Sequence, residues 1–185
     1  MLNILERSAS IKLLVKVCMD KNAQKGGHMA TPNIVLTRID NRLIHGQVGV
    51  TWVSSVGANL ILVADDETAG NDLMQQLMGT TAKQAGAAAR FWTIEKTCET
   101  IHKASEKQKI FIVAKTPDTV LKLIEGGVPI TEVNVGNMHF SEGKRQISKK
   151  VYVDDKDLAD LKAIEETGAD VYIMDVPGEA KERVK

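Results

Sequence analysis

The sequence predicts an α/β fold, organised as a single three-layer domain in which helices cover both faces of a largely parallel sheet. Short apolar runs rich in β-branched residues alternate with segments whose apolar residues recur every three to four positions, which is typical of successive βαβ units. The chain has 185 residues, of which 43% are hydrophobic. That length allows one domain with a sizeable core and leaves little room for a second.

The first half of the domain contains two strands, each followed by a helix. A strand over 33–39 leads through a short polar loop into a helix whose apolar residues recur every four positions until a glycine ends it. A second strand over 59–65 precedes a helix over about 71–88, with Leu73 and Leu77 among its apolar positions and an alanine-rich end.

Two further strands are predicted over 90–94 and 109–115, separated by a helix that bears Cys98. Pro117 fits the first turn of the next helix, because a proline there loses no intrahelical hydrogen bond. The paired glycines Gly126 and Gly127 end this helix.

The last part of the chain begins with a strand over 131–137. The segment 140–154 contains Gly143 and is typical of a β-excursion rather than a helix. A helix over about 155–167 and a strand over 170–176 complete the domain, with no internal repeat and no low-complexity linker.

The first 29 residues differ from the rest of the chain. They have a weak apolar patch broken by lysines, lack a clean signal-peptide core and end in Gly26-Gly27-His28-Met29. We interpret 1–29 as a leader or an expression-derived segment outside the core and assign the domain to 30–185. An added N-terminal helix is the alternative.

Composition excludes several classes of function. Lys plus Arg (24) equals Asp plus Glu (24), so the chain has no basic excess for nucleic-acid binding. Cys18 and Cys98 lie far apart, which argues against a zinc site or a disulfide framework. No apolar run approaches the roughly 20 residues that span a bilayer. These features predict a soluble, intracellular protein without a metal site.

The loop within RIDNRLIHGQVG (38–49) is the candidate site, because ligands of open α/β sheets bind at the carboxyl ends of the strands. His45 lies just before a helix that starts near Gln47. Free backbone N–H groups and the helix dipole favour an anion there. Gly46 allows the backbone to approach closely. The sequence therefore predicts a phosphate-binding loop that uses Gly46 and Gln47.

Charged residues of this loop strengthen the prediction. Guanidinium groups bind phosphoryl oxygens bidentately, so Arg38 and Arg42 are candidate clamps for a phosphoryl group on or near His45. Asp40 would repel phosphate and is expected to orient Arg42 or the imidazole. A surface ion pair beside a solvated histidine is the alternative. His139, at the end of a later strand, is expected to contact a substrate or partner, and a plain turn role is its alternative.

Familiar catalytic motifs are absent from the sequence. It contains no G-x-x-x-x-G-K-[ST], G-x-G-x-x-G, H-E-x-x-H or G-x-S-x-G. We therefore expect no nucleotide or other cofactor. A histidine that receives phosphate without a nucleotide site must take it from another phosphorylated molecule.

Longer stretches of the chain resemble a known family. NIVLTRIDNRLIHGQVGVTWV, KTPDTVLKLIEGGVPITEVNVGNMHF, GKRQISKKVYVD and VYIMDVP are similar to the IIB component of the mannose-family (mannose, fructose and sorbose) sugar phosphotransferase system. The R-x-D-x-R-L-I-H-G-Q-V string is highly specific to that family. The match runs from about Pro32 to Pro177, and GVTWV, RFWTI and NVGNMHF are most similar to members specific for N-acetylgalactosamine or galactosamine.

The resemblance implies a cytoplasmic phosphocarrier, peripherally associated with a membrane permease, whose fold is a mixed, mainly parallel sheet flanked by helices. The histidine matching His45 accepts a phosphoryl group from a phosphohistidine of the IIA component. It passes the group to the 6-hydroxyl of a sugar entering through the IIC and IID components. The arginine matching Arg42 stabilises the phosphohistidine, with the aspartate matching Asp40 nearby. Homo-oligomers are common in such systems.

Two other classes of function stay open at this point. Histidine phosphatases also use a His–Gly pair with arginines, but an arginine normally precedes their histidine, where this chain has Ile44. A non-catalytic partner-binding module with an idle His45 is the other. For a carrier, we expect an exposed His45, because a soluble donor and a membrane acceptor must reach the same atom through transient interfaces.

Overall fold

The computed structural model of the protein describes residues 31–184, so the interpretation of 1–29 as a leader falls outside the described residues. In chain order the strands are β1 (Ile34–Asp40), β2 (Leu60–Ala64), β3 (Ala88–Trp92), β4 (Ile110–Ala114), β5 (Glu132–Asn137), β6 (Arg145–Ser148), β7 (Val151–Val153) and β8 (Asp170–Ile173). The helices are α1 (π-helical over Gln47–Trp52, then α-helical over Val53–Val56), α2 (Asp66–Ala69), α3 (Asp72–Gln84), α4 (Ile94–Thr100, followed by a 3-10 turn over Ile101–Lys103), α5 (Pro117–Glu125) and α6 (Asp155–Glu166).

Six strands form one sheet in the order β3-β2-β4-β1-β5-β8, and every neighbouring pair is parallel. The strands β6 and β7 form a separate antiparallel hairpin within the predicted β-excursion. An antiparallel bridge between Ile173 and Glu182 borders the outer edge of β8. The α/β fold is confirmed, with the antiparallel strands in a hairpin of their own.

Helices cover both faces of the sheet, and each face has its own apolar core. One core joins the sheet to α5 and α6, for example through Leu123 and Leu161. The other joins it to α1 and α3 through Val48, Trp52 and Met78. The predicted three layers follow from these two cores, because a parallel sheet buries both of its faces.

Local signals set several helix boundaries as predicted. Gly57 ends α1 in the left-handed region at φ 65°. The hydroxyl of Thr116 accepts a hydrogen bond from the Thr119 backbone N–H, and Pro117 occupies the first turn of α5.

The predicted helix over 71–88 is wrong at its carboxyl end. The helix α3 stops at Gln84, Gly86 adopts φ 78°, and Ala88 already pairs with Leu60 in the sheet. Alanine favours helices intrinsically, but pairing with β2 overrides that preference.

The apolar periodicity of α3 does not identify its buried side. Leu73 and Leu77 are 67% and 61% exposed, whereas Met78 and Ala82 pack into the core.

The third strand also lies two residues earlier than predicted, because Thr93 caps α4 and places Ile94 in the helix.

Candidate functional site

Polar groups from four strands meet at one edge of the sheet. Asp40 ends β1, Asn137 ends β5, Lys115 follows β4 and Asp175 follows β8 by two residues. Because all four strands are parallel, their carboxyl ends lie on the same side, which is where α/β folds place their ligand sites.

The loop after β1 is tied to both neighbouring strands. The backbone N–H of Asn41 donates to the carbonyl of Asn137, and its side-chain amide donates to the carbonyl of Lys115 at 2.8 Å. Leu43 adopts φ 56° and is buried, as is Ile44. A leucine in the left-handed region is strained, and its burial holds the turn in place. The loop therefore presents His45 in a fixed position.

The His45 ring is held by a buried carboxylate. Its Nε2 lies 3.0 Å from Oδ2 of Asp40, which is 0% exposed, and the His45 side chain itself is 18% exposed. The expectation of an exposed His45 is therefore wrong in degree, because most of the side chain is covered and only part of it reaches solvent.

The charge state of Asp40 determines which ring nitrogen is available. Burial alone would raise the pKa of this carboxyl, but the hydrogen bond from His45 and the charge of Arg38 lower it to about 2. An ionised carboxylate only accepts hydrogen bonds, so Nε2 carries the proton of the neutral ring. The lone pair of the imidazole is then on Nδ1.

Arg42 lies at the solvent edge beside this pair. Its backbone N–H donates to Oδ1 of Asp40 at 3.1 Å, and its Nε is 3.6 Å from the same oxygen. The side chain is 41% exposed and its guanidinium makes no hydrogen bond within residues 31–184. Its donors are thus available to an anion.

Arg38 does not meet our expectation of a phosphate clamp. Its side chain is 0% exposed, and its nitrogens donate to Asp40, to Asn134 and to the carbonyl of Met174. The guanidinium also lies 4.8 Å from the centre of the Trp52 ring. Period-two alternation along β1 puts Arg38 on the same face as Asp40, and there the guanidinium lies against Trp52 of α1 and is closed off from solvent.

Gly46 and Gln47 lie where α1 begins. Nothing approaches within 4 Å of the place where a Cβ of Gly46 would stand, so the space beside it is open. The side-chain amide of Gln47 donates to the backbone carbonyl and the carboxylate of Asp175, at 2.9 and 3.1 Å. Gln47 thus anchors the helix start to the residues after β8, and its role in phosphate binding stays a prediction.

His139 lies at the same edge and is exposed. Its Nε2 is 3.0 Å from the amide nitrogen of Asn137, which is also 3.4 Å from Oδ1 of Asp40. The backbone N–H of His139 donates to the side chain of Asn41. The structure therefore brings His139, Asp40 and His45 into one polar network, while the role of His139 stays a prediction.

Sequence reasoning missed the asparagines of this network. Asn134 and Asn137 lie among the buried residues of β5, and both are buried themselves. A polar residue inside a buried run was the available signal, since it must find a hydrogen-bond partner. Asp175 is bound by Gln47, Trp52 and Lys150, and it carried the same signal because it lies inside the predicted strand over 170–176.

Other kinds of site find no support in residues 31–184. No group of three or more His, Cys, Asp or Glu side chains there could hold a metal ion. No helix in the same region is long and apolar enough to cross a membrane.

Comparison with known proteins gives consistent matches. The profile described as PTS system sorbose subfamily IIB component matches residues 34–185. The chain is 61% identical over 156 residues to the N-acetylgalactosamine-specific phosphotransferase enzyme IIB component 1 of Escherichia coli K12, covering 84% of this chain and 99% of that protein.

Solved structures agree with the sequence matches. The crystal structure of the Escherichia coli N-acetylgalactosamine-specific IIB component 1 superimposes with a TM-score of 0.81 and 61% identity, covering 83% of this chain and all of that one. An N-acetylgalactosamine IIB component from Streptococcus pyogenes gives a TM-score of 0.76 at 37% identity, with 82% and 93% covered.

Proposed function

Because the chain belongs to the sorbose subfamily of IIB components of the phosphotransferase system, we propose that His45 is the residue on which it carries the phosphoryl group. The observation that carries this proposal is the contact between Nε2 of His45 and the ionised Asp40, which leaves Nδ1 with a lone pair at the sheet edge. The test is phosphate transfer to wild type and to His45→Ala from the charged IIA component.

The proposed reaction needs neither metal nor nucleotide. The Nδ1 lone pair of His45 attacks the phosphorus of a phosphohistidine on IIA; the Nδ1–P bond forms as the donor's N–P bond breaks, and the donor ring leaves with the electron pair. Because Nε2 keeps its proton, the phosphorylated ring becomes positively charged. The carboxylate of Asp40, 3.0 Å from Nε2, stabilises that charge as it develops.

We expect the phosphate to be attached to Nδ1 rather than Nε2, because Asp40 occupies the Nε2 side of the ring. The measurement is 31P and 1H–15N correlation NMR on the 15N-labelled phosphoprotein at alkaline pH. Unphosphorylated protein under the same conditions is the control. Phosphorus bonded to Nε2 would contradict the assigned ring orientation.

Arg42 is proposed to bind the phosphoryl oxygens, as its exposed guanidinium has free donors beside His45. Arg42→Lys keeps the charge but loses the planar fork. We expect transfer from IIA to slow roughly 10- to 100-fold, the effect of one charge-assisted hydrogen bond worth about 1.5–3 kcal/mol. Single-turnover transfer kinetics measure this.

Arg145→Lys is a matched control for that variant, because Arg145 is an exposed arginine paired with Asp155 on the β6–β7 hairpin side of the fold. It should transfer phosphate at the wild-type rate. If Arg42→Lys also transferred phosphate at the wild-type rate, a point charge would be enough and the planar guanidinium would have no role.

The partners follow from membership in the family: a IIA donor and the membrane IIC and IID components. We propose N-acetylgalactosamine or galactosamine as the sugar, phosphorylated at its 6-hydroxyl, on the basis of the 61% identical relative. The chain would act at the cytoplasmic face of that permease. Membrane vesicles holding IIC and IID, supplied with phosphorylated protein and each amino sugar in turn, test the assignment through the sugar phosphate formed.

A further inference from the structure

We propose that Arg38 is a positioning residue: its buried guanidinium holds the Asp40 carboxylate so that this carboxylate fixes the His45 ring with Nδ1 free. The inference rests on the proposed carrier function of His45. It assigns Arg38 a role through Asp40 instead of the direct phosphate contact expected from the sequence.

The first support is the place of Arg38 in the sheet. It lies on β1, an interior strand, opposite Val113 of β4 and Asn134 of β5. It is the largest fully buried side chain in residues 31–184. A buried charge costs free energy unless it is paired, so its retention in a sheet interior calls for a specific partner.

The second support is that every nitrogen of the guanidinium has an acceptor. Nε and Nη2 donate to Oδ2 of Asp40 at 3.2 and 3.0 Å. Nη1 donates to Oδ1 of Asn134 at 2.5 Å and to the carbonyl of Met174 at 3.1 Å. One side chain thus ties β1 to β5 and to the end of β8. Four of its five N–H groups are used in this way, and the 0% exposure of the side chain closes the guanidinium to a ligand in solvent.

The third support is the space that the fold leaves for this group. A Cβ on Gly136 would lie 1.8 Å from Cζ of Arg38, so any other residue at that position would displace the guanidinium. On the other side, the guanidinium lies 4.8 Å from the centre of the Trp52 ring. The missing side chain at Gly136 thus leaves the room that the guanidinium occupies.

Asp40 connects this cation to the histidine. Its Oδ2 accepts hydrogen bonds from Arg38 and from Nε2 of His45, while Oδ1 accepts from the backbone of Arg42. If the guanidinium were removed, the buried carboxylate would lose its countercharge. The carboxyl would then either become protonated and donate a hydrogen bond to Nε2, so that the neutral ring carries its proton on Nδ1, or stay ionised beside a His45 imidazolium protonated on both nitrogens. In both cases Nδ1 gains a proton and cannot attack phosphorus.

The test compares Arg38→Met, Gly136→Ala and Arg38→Lys with wild type. The readouts are the 15N resonances of the His45 ring and the single-turnover rate of phosphate transfer from charged IIA. In Arg38→Met we expect the Nδ1 resonance to become that of a protonated nitrogen, and the rate to fall about tenfold or more because the nucleophilic lone pair is lost. Gly136→Ala keeps the charge but displaces it, and should shift both readouts in the same direction.

Arg38→Lys is the conservative variant, and it keeps Nδ1 unprotonated with a rate between those of wild type and Arg38→Met. If Arg38→Met does not fold, Arg38→Lys and Gly136→Ala test the proposal in its place. Thr97→Ala is the matched control for lost stability, because Thr97 is equally buried but lies in α4. It should leave the His45 resonances unchanged.

A folded Arg38→Met or Gly136→Ala protein with wild-type His45 resonances and a wild-type rate would overturn the positioning role. Failure of the carrier proposal gives a different result. In that case wild type takes no phosphate from charged IIA, and the resonances of Arg38→Met still report whether Arg38 positions the ring.

Discussion

His45→Ala is expected to take up no phosphate when wild type takes up one. The variant loses the Nδ1 lone pair, and no other residue of the loop after β1 offers a comparable nucleophile. The experiment supplies phosphoenolpyruvate, the upstream soluble phosphotransferase proteins and the matching IIA component. Mass spectrometry under alkaline conditions that preserve phosphohistidine measures the intact mass of the product.

The fold should survive this substitution, because Asp40 keeps its buried pair with Arg38. His102→Ala is the matched control: His102 lies in the 3-10 turn after α4, away from the edge where the site is built. It should accept one acid-labile phosphate at the wild-type rate.

Two outcomes would contradict the carrier proposal. Phosphate on His45→Ala at the wild-type rate would place the acceptor on another side chain. No phosphate on wild type, with the donor shown to be charged, would mean that the chain does not accept it from that donor. Assays for hydrolysis of small phosphate esters would then test the phosphatase alternative.

Asp40→Asn is expected to lower the free energy of unfolding by roughly 3–5 kcal/mol at pH 7, since it leaves the buried Arg38 without a countercharge. Urea unfolding of both proteins measures the change. Asp155→Asn is the matched control, because Asp155 is 96% exposed and its pair with Arg145 is worth less than about 1 kcal/mol. A loss in Asp40→Asn no larger than in this control would show that the buried pair contributes little.

The same comparison has a defined pH dependence. The pKa of Asp40 falls from an ordinary value of 3.8 to about 2 in the fold. The stabilisation that this carboxylate provides is therefore complete above about pH 4 and is lost as the pH falls towards 2. The stability gap between wild type and Asp40→Asn should narrow over that interval. A gap that stays constant down to pH 2.5 would contradict the lowered pKa.

Much of the fold could be predicted from the sequence because its signals are local. A parallel sheet buried on both faces gives continuous apolar runs, as in β2 and β4, and these were placed to within one residue. Capping residues in the same way indicated where α5 begins and ends, with Pro117 in its first turn and Gly126 after its last residue. The prediction failed where tertiary contacts compete with local preference. Ala88 pairs with β2 and so lies in a strand, not in the predicted helix, and the side of α3 that packs on the sheet leaves Leu73 and Leu77 exposed.

The sequence by itself determined the fold class, the loop that carries His45, and the neighbourhood of Asp40 and Arg42, because these lie within five residues of one another. Only the tertiary structure decided what each residue does there. Asn134, Gly136 and Met174 come from β5 and the end of β8, far along the chain, and together they enclose Arg38. Burial and hydrogen-bond partners of that kind depend on which strands become neighbours, and they separate the buried Arg38 from the exposed Arg42 although the sequence presents the two arginines alike.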